Sequence, residues 1–589
     1  MSKTKGGLTG FYEKLPPSLI KKNNVTLFPE GAIGYLVGPT LALLANSILS
    51  NYFNKYMTDV LHINNWASAF FTWLPVISVI FVVIGNILVG KLMDNNKSKN
   101  GKARPLLLLS LPISLLALLF LFVFSPFDAN SESWHVGALV CIAIGYNLWF
   151  AFAYPMYYTP HAGLVSLSTR NSKDRGLLAT LSNATMLAAM GLAQMILPFF
   201  ITLLFVPDAN DSALCDSQAS YSHWKVFVIA LLAVIVVGTL IEYFFTRERI
   251  TEETMGKESA AKPSLSTAEQ WKICSKDKFW IIMMVFFFLY QFGGMIKNVS
   301  INYYCTSMFK DAAGLYTNEW GGNRQGLLST IGAVPTAVGM VIALPLANIL
   351  GSKSKAILSG AALAVVGGVI GMLAPHNYTV VLISFIIKAL GSTPAMYLSL
   401  ALLADIFDHQ EAVNGVRTDG FSMTVYGAIM AGMTGLTTGV LNAVIAGTGY
   451  DVNALNSNAE MLASVQAAMP WVFIGGETIC YLGIFIFFLF MGVEKFSKID
   501  HIAIVADQKA AAKAEGREYI SSEEKIRREE GEEAYQAELK KQADATKAEE
   551  ARIAKLTAEQ KKAEKEAETK LLEEFNALRK AAGKTAIKA

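Results

Sequence analysis

A single lysine lies within a long apolar segment in the C-terminal half of the chain. Lys388 is surrounded by apolar neighbours, IIKAL over residues 386–390, and it lies about ten residues, or ~15 Å of helix, from the predicted outer end of its helix. An ammonium group at that depth in a membrane costs roughly 2.5 to 3.5 kcal/mol on insertion scales. Lys388 therefore needs a wet cavity or a carboxylate beside it, and it has the charge to bind an anion.

Two other charged residues lie in similar surroundings. Glu477 is the only comparable buried acid that the sequence predicts, so a structural pair of Lys388 with Glu477 is the alternative to a lysine that binds a ligand. Lys297 lies nearer the outer surface, where its long side chain could snorkel to water. The sequence leaves these alternatives open.

Polar and aromatic side chains recur on four of the apolar segments. Amide and hydroxyl groups at helical spacing hydrogen-bond hydroxyls, and aromatic faces stack on sugar rings. For each residue, a hydrogen bond or contact between helices is at least as good an interpretation. The predicted binding residues are Asn46, Ser50, Asn54, Trp149, Tyr154, Tyr158, Lys297, Asn298 and Lys388.

A second group of charged residues lies in short loops and at helix ends on the predicted cytoplasmic side. Ion pairs between two halves of a protein can form when one side closes and break when it opens, so such pairs bias a two-state movement. The alternative is that these charges only set the topology and are solvated. The predicted gate residues are Asp94, Lys102, Arg104, Arg175, Asp405, Asp408 and Arg417.

Membrane helices must position all these residues. Hydrophobic residues make up 53% of the chain and charged residues 16%, a composition far from that of a soluble domain. A stretch of ~20 apolar residues crosses the ~30 Å hydrocarbon core, and the sequence repeats such a stretch about twelve times. The predicted helices are Gly31–Leu61, Trp66–Leu92, Pro105–Phe127, His135–His161, Leu177–Val206, Val226–Phe245, Phe279–Met308, Leu327–Ile349, Lys355–Pro375, Tyr378–Ile406, Asp419–Ile445 and Ala468–Met491.

The order of apolar and polar segments predicts two six-helix halves. We expect an N-terminal arm (1–30), a first half (31–245), a connector (246–277), a second half (278–493) and a charged tail (494–589). Six helices on each side of a soluble connector are typical of transporters built from two repeats. Lysine and arginine are concentrated in the loops after the second and fourth helices, which predicts that both termini are cytoplasmic.

The tail has the composition of a helix that needs no core. From about residue 521 it is rich in Ala, Glu, Lys and Gln, and oppositely charged residues at helical spacing stabilise a solvated helix. Leu571, Phe575 and Leu578 form one short apolar face. That face could dock on the membrane domain or on a cytoplasmic partner, but the composition favours a solvated helix.

Two motif blocks carry a resemblance to a known family. The blocks run from Gly90 to Pro105 (GKLMDNNKSKNGKARP) and from Ala404 to Gly420 (ADIFDHQEAVNGVRTDG), and YMTDV over 56–60 and the pair Gly449-Tyr450 accompany them. Together they resemble the glycoside-pentoside-hexuronide cation symporters of the major facilitator superfamily, over about residues 28 to 495. The resemblance implies twelve helices, with the first, fourth, seventh and tenth lining a central cavity.

The chain departs from that family where its members hold the coupling cation. Alignment of the motifs by eye places Val82, Asn86 and Tyr158 where cation-coupled members carry acidic residues, and Leu43 where the first helix has an acid that binds sugar. A dehydrated hard cation needs several oxygen ligands, carboxylates among them. We therefore expect no sodium site, and a proton or no ion is favoured as the coupling partner.

These observations predict a secondary active transporter in the plasma or inner membrane, with symport favoured. Its expected substrate is a sugar, glycoside or related organic solute, which could be anionic. The alternative is a sensor or scaffold that does not transport and signals through the tail. The sequence contains no catalytic carboxylate pair, metal-ligand cluster, phosphate-binding loop or seryl elbow that would indicate an enzyme. We expect no cofactor, no metal and no nucleic-acid partner. His161 is interpreted as a lone interfacial residue or a proton relay.

Overall fold

The chain folds into a bundle of long membrane helices. A computed structural model describes residues 15–21, 25–96, 98, 100–169, 172–254, 266–416, 418–514, 516, 518–519, 524, 527 and 532–587. Among these described residues, eleven helices are long and apolar enough to cross a membrane, or twelve when one bent pair of helices is counted as a single span. The protein is therefore a multi-pass, all-α membrane protein.

The first six spans are α1 (Leu27–Asp59), α2 (Ser68–Met93), α3 (Arg104–Val123), α4 (His135–Val165), α5 (Thr180–Leu203) and α6 (Ser217–Phe245). The second six are α7 (Lys278–Met308), α8 (Asn318–Leu350), α9 (Lys353–Leu373), α10 (Tyr378–Asn414), α11 (Phe421–Thr448) and α12, which is built from Ala459–Pro470, Trp471–Gly475 and Gly476–Phe488. Helix α8 bends by 47° between Gly339 and Val341.

Several helices begin earlier than the sequence predicts. Helix α6 begins at Ser217 rather than Val226, α8 at Asn318 rather than Leu327, and α12 at Ala459 rather than Ala468. In each case a side chain just before the helix accepts a hydrogen bond from a backbone N–H of the first turn. These N-cap residues are Asp216, Thr317 and Asn458. Hydropathy marks only the apolar part of a helix, whereas N-caps stabilise polar turns beyond it.

The two halves use the same capping device at equivalent places. Glu248, just after α6, accepts hydrogen bonds from the backbone N–H groups of residues 102–104 at 2.8 to 2.9 Å. Glu494, just after α12, accepts from the N–H groups of Lys353 and Ser354 at 2.7 and 2.9 Å. Each carboxylate thus neutralises the free donors at the start of the third helix of its half. This correspondence supports two repeated six-helix units.

The tail folds back onto the second half. Its helices are α13 (Ser497–Ala514), α14 (Glu532–Ala554) and α15 (Ala558–Ala581). Phe575 of α15 is fully buried beside the rings of His409 and Phe496. Arg579 donates to the carbonyl of Ala412 and pairs with Asp507 at 2.9 Å. The favoured prediction of a solvated tail helix is therefore wrong for this face of α15, which docks on α10 and α13.

Replacement of Phe575 by alanine is expected to release α15. Truncation of a buried phenylalanine costs about 3 to 5 kcal/mol, and this ring fills the contact between α15 and the second half. Hydrogen exchange of the α15 amides should accelerate in Phe575→Ala. Leu578→Ala is the matched control because Leu578 is 39% exposed. Equal protection of α15 in the wild type and Phe575→Ala would show that the docking does not depend on this ring.

Candidate functional site

Three charged side chains meet in the interior of the second half. The Glu477 carboxylate of α12 lies 2.5 Å from Nζ of Lys388 on α10 and 3.1 Å from Nζ of Lys297 on α7. Lys388 and Glu477 are each 3% exposed, and the Lys297 side chain is 23% exposed. Two ammonium groups share one carboxylate, so this triad carries one excess positive charge when all three are ionised.

The structure shows the pair of Lys388 with Glu477 that the sequence offered as the alternative to a ligand-binding lysine, and ligand binding by Lys388 stays a prediction. Lys388 meets a carboxylate, as its depth requires, and Lys297 binds the same carboxylate instead of snorkelling. Aromatic rings cover both ammonium groups, with the Phe385 ring 5.4 Å from Lys297 and the Phe473 ring 6.0 Å from Lys388. Such rings stabilise cations away from water, so this site holds positive charge within an apolar region.

The first half contains a small cavity lined by hydroxyl, amide and aromatic groups. The predicted residues Asn46, Trp149 and Tyr154 line it, and the Trp149 indole N–H donates to Oδ1 of Asn46 at 3.3 Å. Tyr154 stacks on Tyr158 with the ring centroids 5.3 Å apart. The remaining lining residues are Ala42, Leu43, Ser110, Ser114, Ala153, Tyr157 and Ile235. Ser50 and Asn298 are half-buried and do not line this cavity.

Asn54 lies in a different place from the other predicted binding residues. Its Nδ2 donates to the hydroxyl of Tyr303 on α7 at 3.2 Å, and the Thr58 hydroxyl meets the same group at 2.9 Å. We call the end of the bundle that carries residue 15 and the tail the inner end, as in the predicted orientation, and the other end the outer end. Asn54 therefore belongs to the contact between the two halves toward the outer end.

Further contacts between the halves close the outer end. Asn64 donates to the carbonyl of Tyr450 at 2.6 Å and Asn442 to that of Phe71 at 2.6 Å. Gly435 of α11 faces the backbone carbonyl of Pro75 on α2, at a distance that leaves no room for a Cβ atom. Small residues let helix backbones approach this closely. The structure is therefore an outer-closed conformation.

A fully buried ion pair lies at this closed end. Nζ of Lys55 is 2.5 Å from Oδ2 of Asp59 one turn later in α1, and both side chains are fully buried. Asp59 also accepts from the Thr58 hydroxyl at 2.8 Å and from the Asn318 amide at 3.4 Å. The ring of Tyr303 lies 5.4 Å from the ammonium group. Both halves thus contribute partners to this pair.

Three of the predicted gate residues bind within their own halves in this conformation. Arg104 donates to the carbonyl of Tyr243 at 2.8 and 3.1 Å, and Asp405 pairs with Lys353 at 2.5 Å. Lys102 contributes its backbone N–H to Glu248, and Asp408 is half-buried near the end of α10. The side chains of Asp94 and Arg175, and the whole of Arg417, lie outside the described part. Pairing of these groups across the halves in an inner-closed state stays a prediction.

The first half contains a buried acid that the sequence did not predict. Glu242 of α6 is fully buried. One of its carboxylate oxygens accepts a hydrogen bond from the Tyr157 hydroxyl, and the other lies 2.7 Å from Nδ1 of His161. His161 is therefore not a lone residue, and Glu477 is not the only buried acid of the spans. The acid within the apolar run LIEYFF over 240–245 was a signal, but it gave no partner.

No metal site is evident among the described residues. They contain no group of three or more His, Cys, Asp or Glu side chains that could hold a metal ion. At the positions aligned with the acids of the family, the Asn86 amide donates to the backbone carbonyl of Val82 at 2.8 Å, and Tyr158 is 38% exposed. The lack of a sodium site stays a prediction.

Comparisons with known proteins agree with this architecture. The family described as "MFS/sugar transport protein" matches residues 34–495. A "Glucuronide carrier protein homolog" of Escherichia coli (strain K12) is 22% identical over 400 residues, 67% of this chain and 78% of the relative. An "Isoprimeverose transporter" of Lactiplantibacillus pentosus is 24% identical over 469 residues, 78% of this chain and 88% of the relative. The crystal structure of a D-xylose-proton symporter has a TM-score of 0.51 at 12% identity and covers 77% of this chain and 96% of its own.

The two six-helix halves are closed against each other at one end, around buried polar groups. This arrangement defines a secondary active transporter with the major facilitator fold. The chain belongs to the MFS/sugar transport protein family. This membership confirms the resemblance to the glycoside-pentoside-hexuronide symporters that the motifs indicated. The substrate of this transporter is therefore a small-molecule solute.

Proposed function

We propose that the protein is a symporter of an acidic sugar, such as a hexuronide, and that a proton rather than sodium is the coupling ion. One observation carries this proposal: Lys388 and Lys297 share the single carboxylate of Glu477. A sugar carboxylate that enters this site meets one positive charge in excess. Ion pairing in a site with little water is strong, since few water dipoles screen it.

The remaining polar groups suit the hydroxyls of the same solute. Asn46, Ser110 and Ser114 offer an amide and two hydroxyls around the cavity of the first half, and Trp149 and Tyr154 offer aromatic faces. Charged recognition in one half and hydroxyl recognition in the other would let one solute contact both halves. A solute that does so stabilises some arrangements of the halves over others, as alternating access requires.

The descriptions of the relatives support a sugar as the substrate. The lack of acidic residues at two positions on α2 supports a proton rather than sodium as the coupling ion. One relative is described as a glucuronide carrier protein homolog, and others as transporters of isoprimeverose or lactose. Val82 and Asn86 offer no carboxylate at the positions aligned with acidic residues of cation-coupled members of the family. A proton needs only one titratable group, whereas a sodium ion needs several oxygen ligands.

The test is uptake into proteoliposomes of two sugars that differ only in one carboxylate, a methyl glucuronide and the corresponding methyl glucoside. Wild-type protein is expected to take up the glucuronide, faster under an inward proton gradient and unchanged by a sodium gradient. Sodium-driven uptake of the glucoside would contradict both parts of the proposal.

Variants of the triad test its charge. Lys388→Met leaves no excess charge, and the loss of a charge-assisted bond of about 1.5 to 3 kcal/mol lowers glucuronide affinity roughly 10- to 150-fold. Lys388→Met combined with Glu477→Gln restores one excess positive charge on Lys297 and should recover part of the affinity. Lys225→Met, at a lysine over the Tyr221 ring on the outer part of α6, is the control. Unchanged glucuronide affinity in Lys388→Met would exclude the triad as the anion site.

Topology and partners follow from the same proposal. We place both termini in the cytoplasm and the bundle in the plasma or inner membrane, because the basic loops lie at the inner end. The tail covers part of the second half, which favours a role within the transporter over the alternative of a sensor that does not transport. A cytoplasmic partner for the tail remains a prediction.

A further inference from the structure

A second cluster of buried titratable groups lies in the first half, apart from the triad. Glu242 of α6, His161 of α4 and Ser182 of α5 form a chain of hydrogen bonds, with Nδ1 of His161 2.7 Å from the carboxylate and Nε2 of His161 3.1 Å from the serine hydroxyl. The Tyr157 hydroxyl donates to the other carboxylate oxygen. Glu242 is fully buried and His161 is 2% exposed.

Burial favours one proton on this cluster. With one proton shared by His161 and Glu242, the pair is neutral overall, whether it is an imidazolium with a carboxylate or an imidazole with a carboxylic acid. Removal of that proton leaves a net negative charge on groups that have almost no contact with solvent, which is costly. The imidazole and the carboxylate are therefore placed to hold one proton between them as a neutral pair.

The hydrogen-bond partners of His161 are compatible with both binding and release of a proton. The Ser182 hydroxyl can accept from a protonated Nε2 or donate to a bare one. Protonation of His161 therefore does not break the bond to α5. Fixed positive charges nearby are bound to other acceptors, with Arg104 on the carbonyl of Tyr243 and Arg249 on Glu30.

Among the described residues, other polar and charged groups lie in the same region of the first half. They are Glu30 and Tyr35 of α1, Arg104 of α3, Tyr157 and Tyr158 of α4, Ser182 and Thr185 of α5, and Glu248 and Arg249 after α6. Glu30 is paired with Arg249 at 2.8 Å, and Glu248 is bound by the backbone of 102–104. His161 and Glu242 are therefore the members of this set that can exchange a proton between themselves.

One hydroxyl group connects the cluster to the small cavity of the first half. Tyr157 lines that cavity and donates to Glu242. On the same helix, Tyr154 stacks on Tyr158, and the ring of Tyr158 lies 6.2 Å from that of His161. Residues 154, 158 and 161 follow the spacing of one helix face. A solute that displaces the rings of Tyr154 and Tyr158 would therefore be separated from the His161–Glu242 pair by one side chain, that of Tyr157.

We propose that His161, Glu242 and Tyr157 form the proton-binding site of this transporter. This inference rests on the proposed function, since it names the residues that carry the coupling proton. One proton binds from one side of the membrane, is held while the cluster is buried, and leaves on the other side. No covalent step is involved.

The test separates coupling from movement of the solute. Glu242→Gln and His161→Gln are reconstituted, and methyl glucuronide transport is measured in two ways: accumulation under an inward proton gradient, and exchange of labelled for unlabelled solute at equal pH. We expect both variants to lose accumulation down to the level seen without a gradient, while exchange continues. A variant that only disturbs the structure would lose both activities.

The chain offers a matched control in a second buried imidazole–carboxylate pair. Nδ1 of His409 is 2.9 Å from Asp500 where α10 meets the tail, and both residues are buried. His409→Gln should therefore keep proton-driven accumulation. If Glu242→Gln does not fold, His161→Gln decides the question, because an amide can still bond to both Glu242 and Ser182.

The outcomes distinguish the two proposals. Proton-driven accumulation in both Glu242→Gln and His161→Gln at the wild-type level would overturn this inference while the proposed function stands. Absence of proton-driven uptake in the wild type itself would overturn both. Loss of accumulation in His409→Gln to the same extent would also count against a specific role for the Glu242 cluster.

Discussion

Glu477→Leu is expected to destabilise the transporter far more than Lys388→Met. Glu477 is the one carboxylate between two ammonium groups, so its removal leaves two buried cations without their counter-charge. Loss of one partner of a buried ion pair costs about 3 to 5 kcal/mol. By contrast, Lys388→Met still leaves Lys297 paired with Glu477. Thermal unfolding of the purified variants should therefore give a clearly lower midpoint for Glu477→Leu.

A variant without charges in the triad isolates the electrostatic cause. Replacement of a complete buried ion network by apolar residues is often neutral or stabilising, so Lys297→Met, Lys388→Met and Glu477→Leu together should recover most of the lost stability, without glucuronide transport. If Glu477→Leu and Lys388→Met unfold at the same temperature, the carboxylate does not hold both lysines.

The second large effect is expected at the closed outer end. Asp59→Leu leaves Lys55 fully buried without its carboxylate, and the ammonium group regains water only if the halves separate at that end. A penalty of about 3 to 5 kcal/mol on the closed state is comparable to the ~5.5 kcal/mol that moves a two-state equilibrium from 1:99 to 99:1. We therefore expect Asp59→Leu to populate the outer-open state.

Spin labels across the outer end would measure this shift. Glu132 and Ser457 are exposed in outer loops of the first and second halves, so a cysteine at each, with the half-buried Cys141 replaced, reports the separation of the halves. The distance distribution should lengthen in Asp59→Leu. It should return to the wild-type distribution in Lys55→Met combined with Asp59→Leu, where no unpaired charge remains. An unchanged distribution in the single variant would show that the pair does not control closure.

A steric variant tests the same closure by a different route. Gly435→Val places a side chain against the Pro75 carbonyl, and overpacking of this kind costs about 1 to 3 kcal/mol. The distance between the spin labels at positions 132 and 457 should lengthen in Gly435→Val as well, though less than in Asp59→Leu. Gly447→Val is the matched control, because nothing lies within 4 Å of a Cβ atom built on Gly447.

Much of the architecture could be predicted because the underlying energies are local. The cost of transferring each side chain into a membrane depends mainly on that side chain and its depth, so windows of sequence locate the spans. The same reasoning predicts that Lys388 needs a wet cavity or a carboxylate, and Glu477 supplies the carboxylate. Helix ends were placed less well, because N-caps such as Asp216 and Thr317 extend helices beyond the apolar window.

The partners of buried groups could not be predicted in the same way. Asn54 has the residue type of a sugar ligand but bonds to Tyr303, 249 positions away, in the contact between the halves. Tail helix α15 has the composition of a solvated helix, yet it buries Phe575 and Arg579. In both cases the distribution of residue types fits two environments, and only the packing of distant segments selects one.

The sequence by itself therefore determined the class of protein, the helices and the need of Lys388 for a wet cavity or a counter-charge, because transfer free energies add along the chain. The tertiary structure decided which charges meet. Lys297 shares the carboxylate of Glu477, and His161 binds Glu242, which lies 81 positions further along the chain. Pairing of this kind depends on the rotation and the relative height of neighbouring helices, and no local pattern in the sequence encodes either quantity.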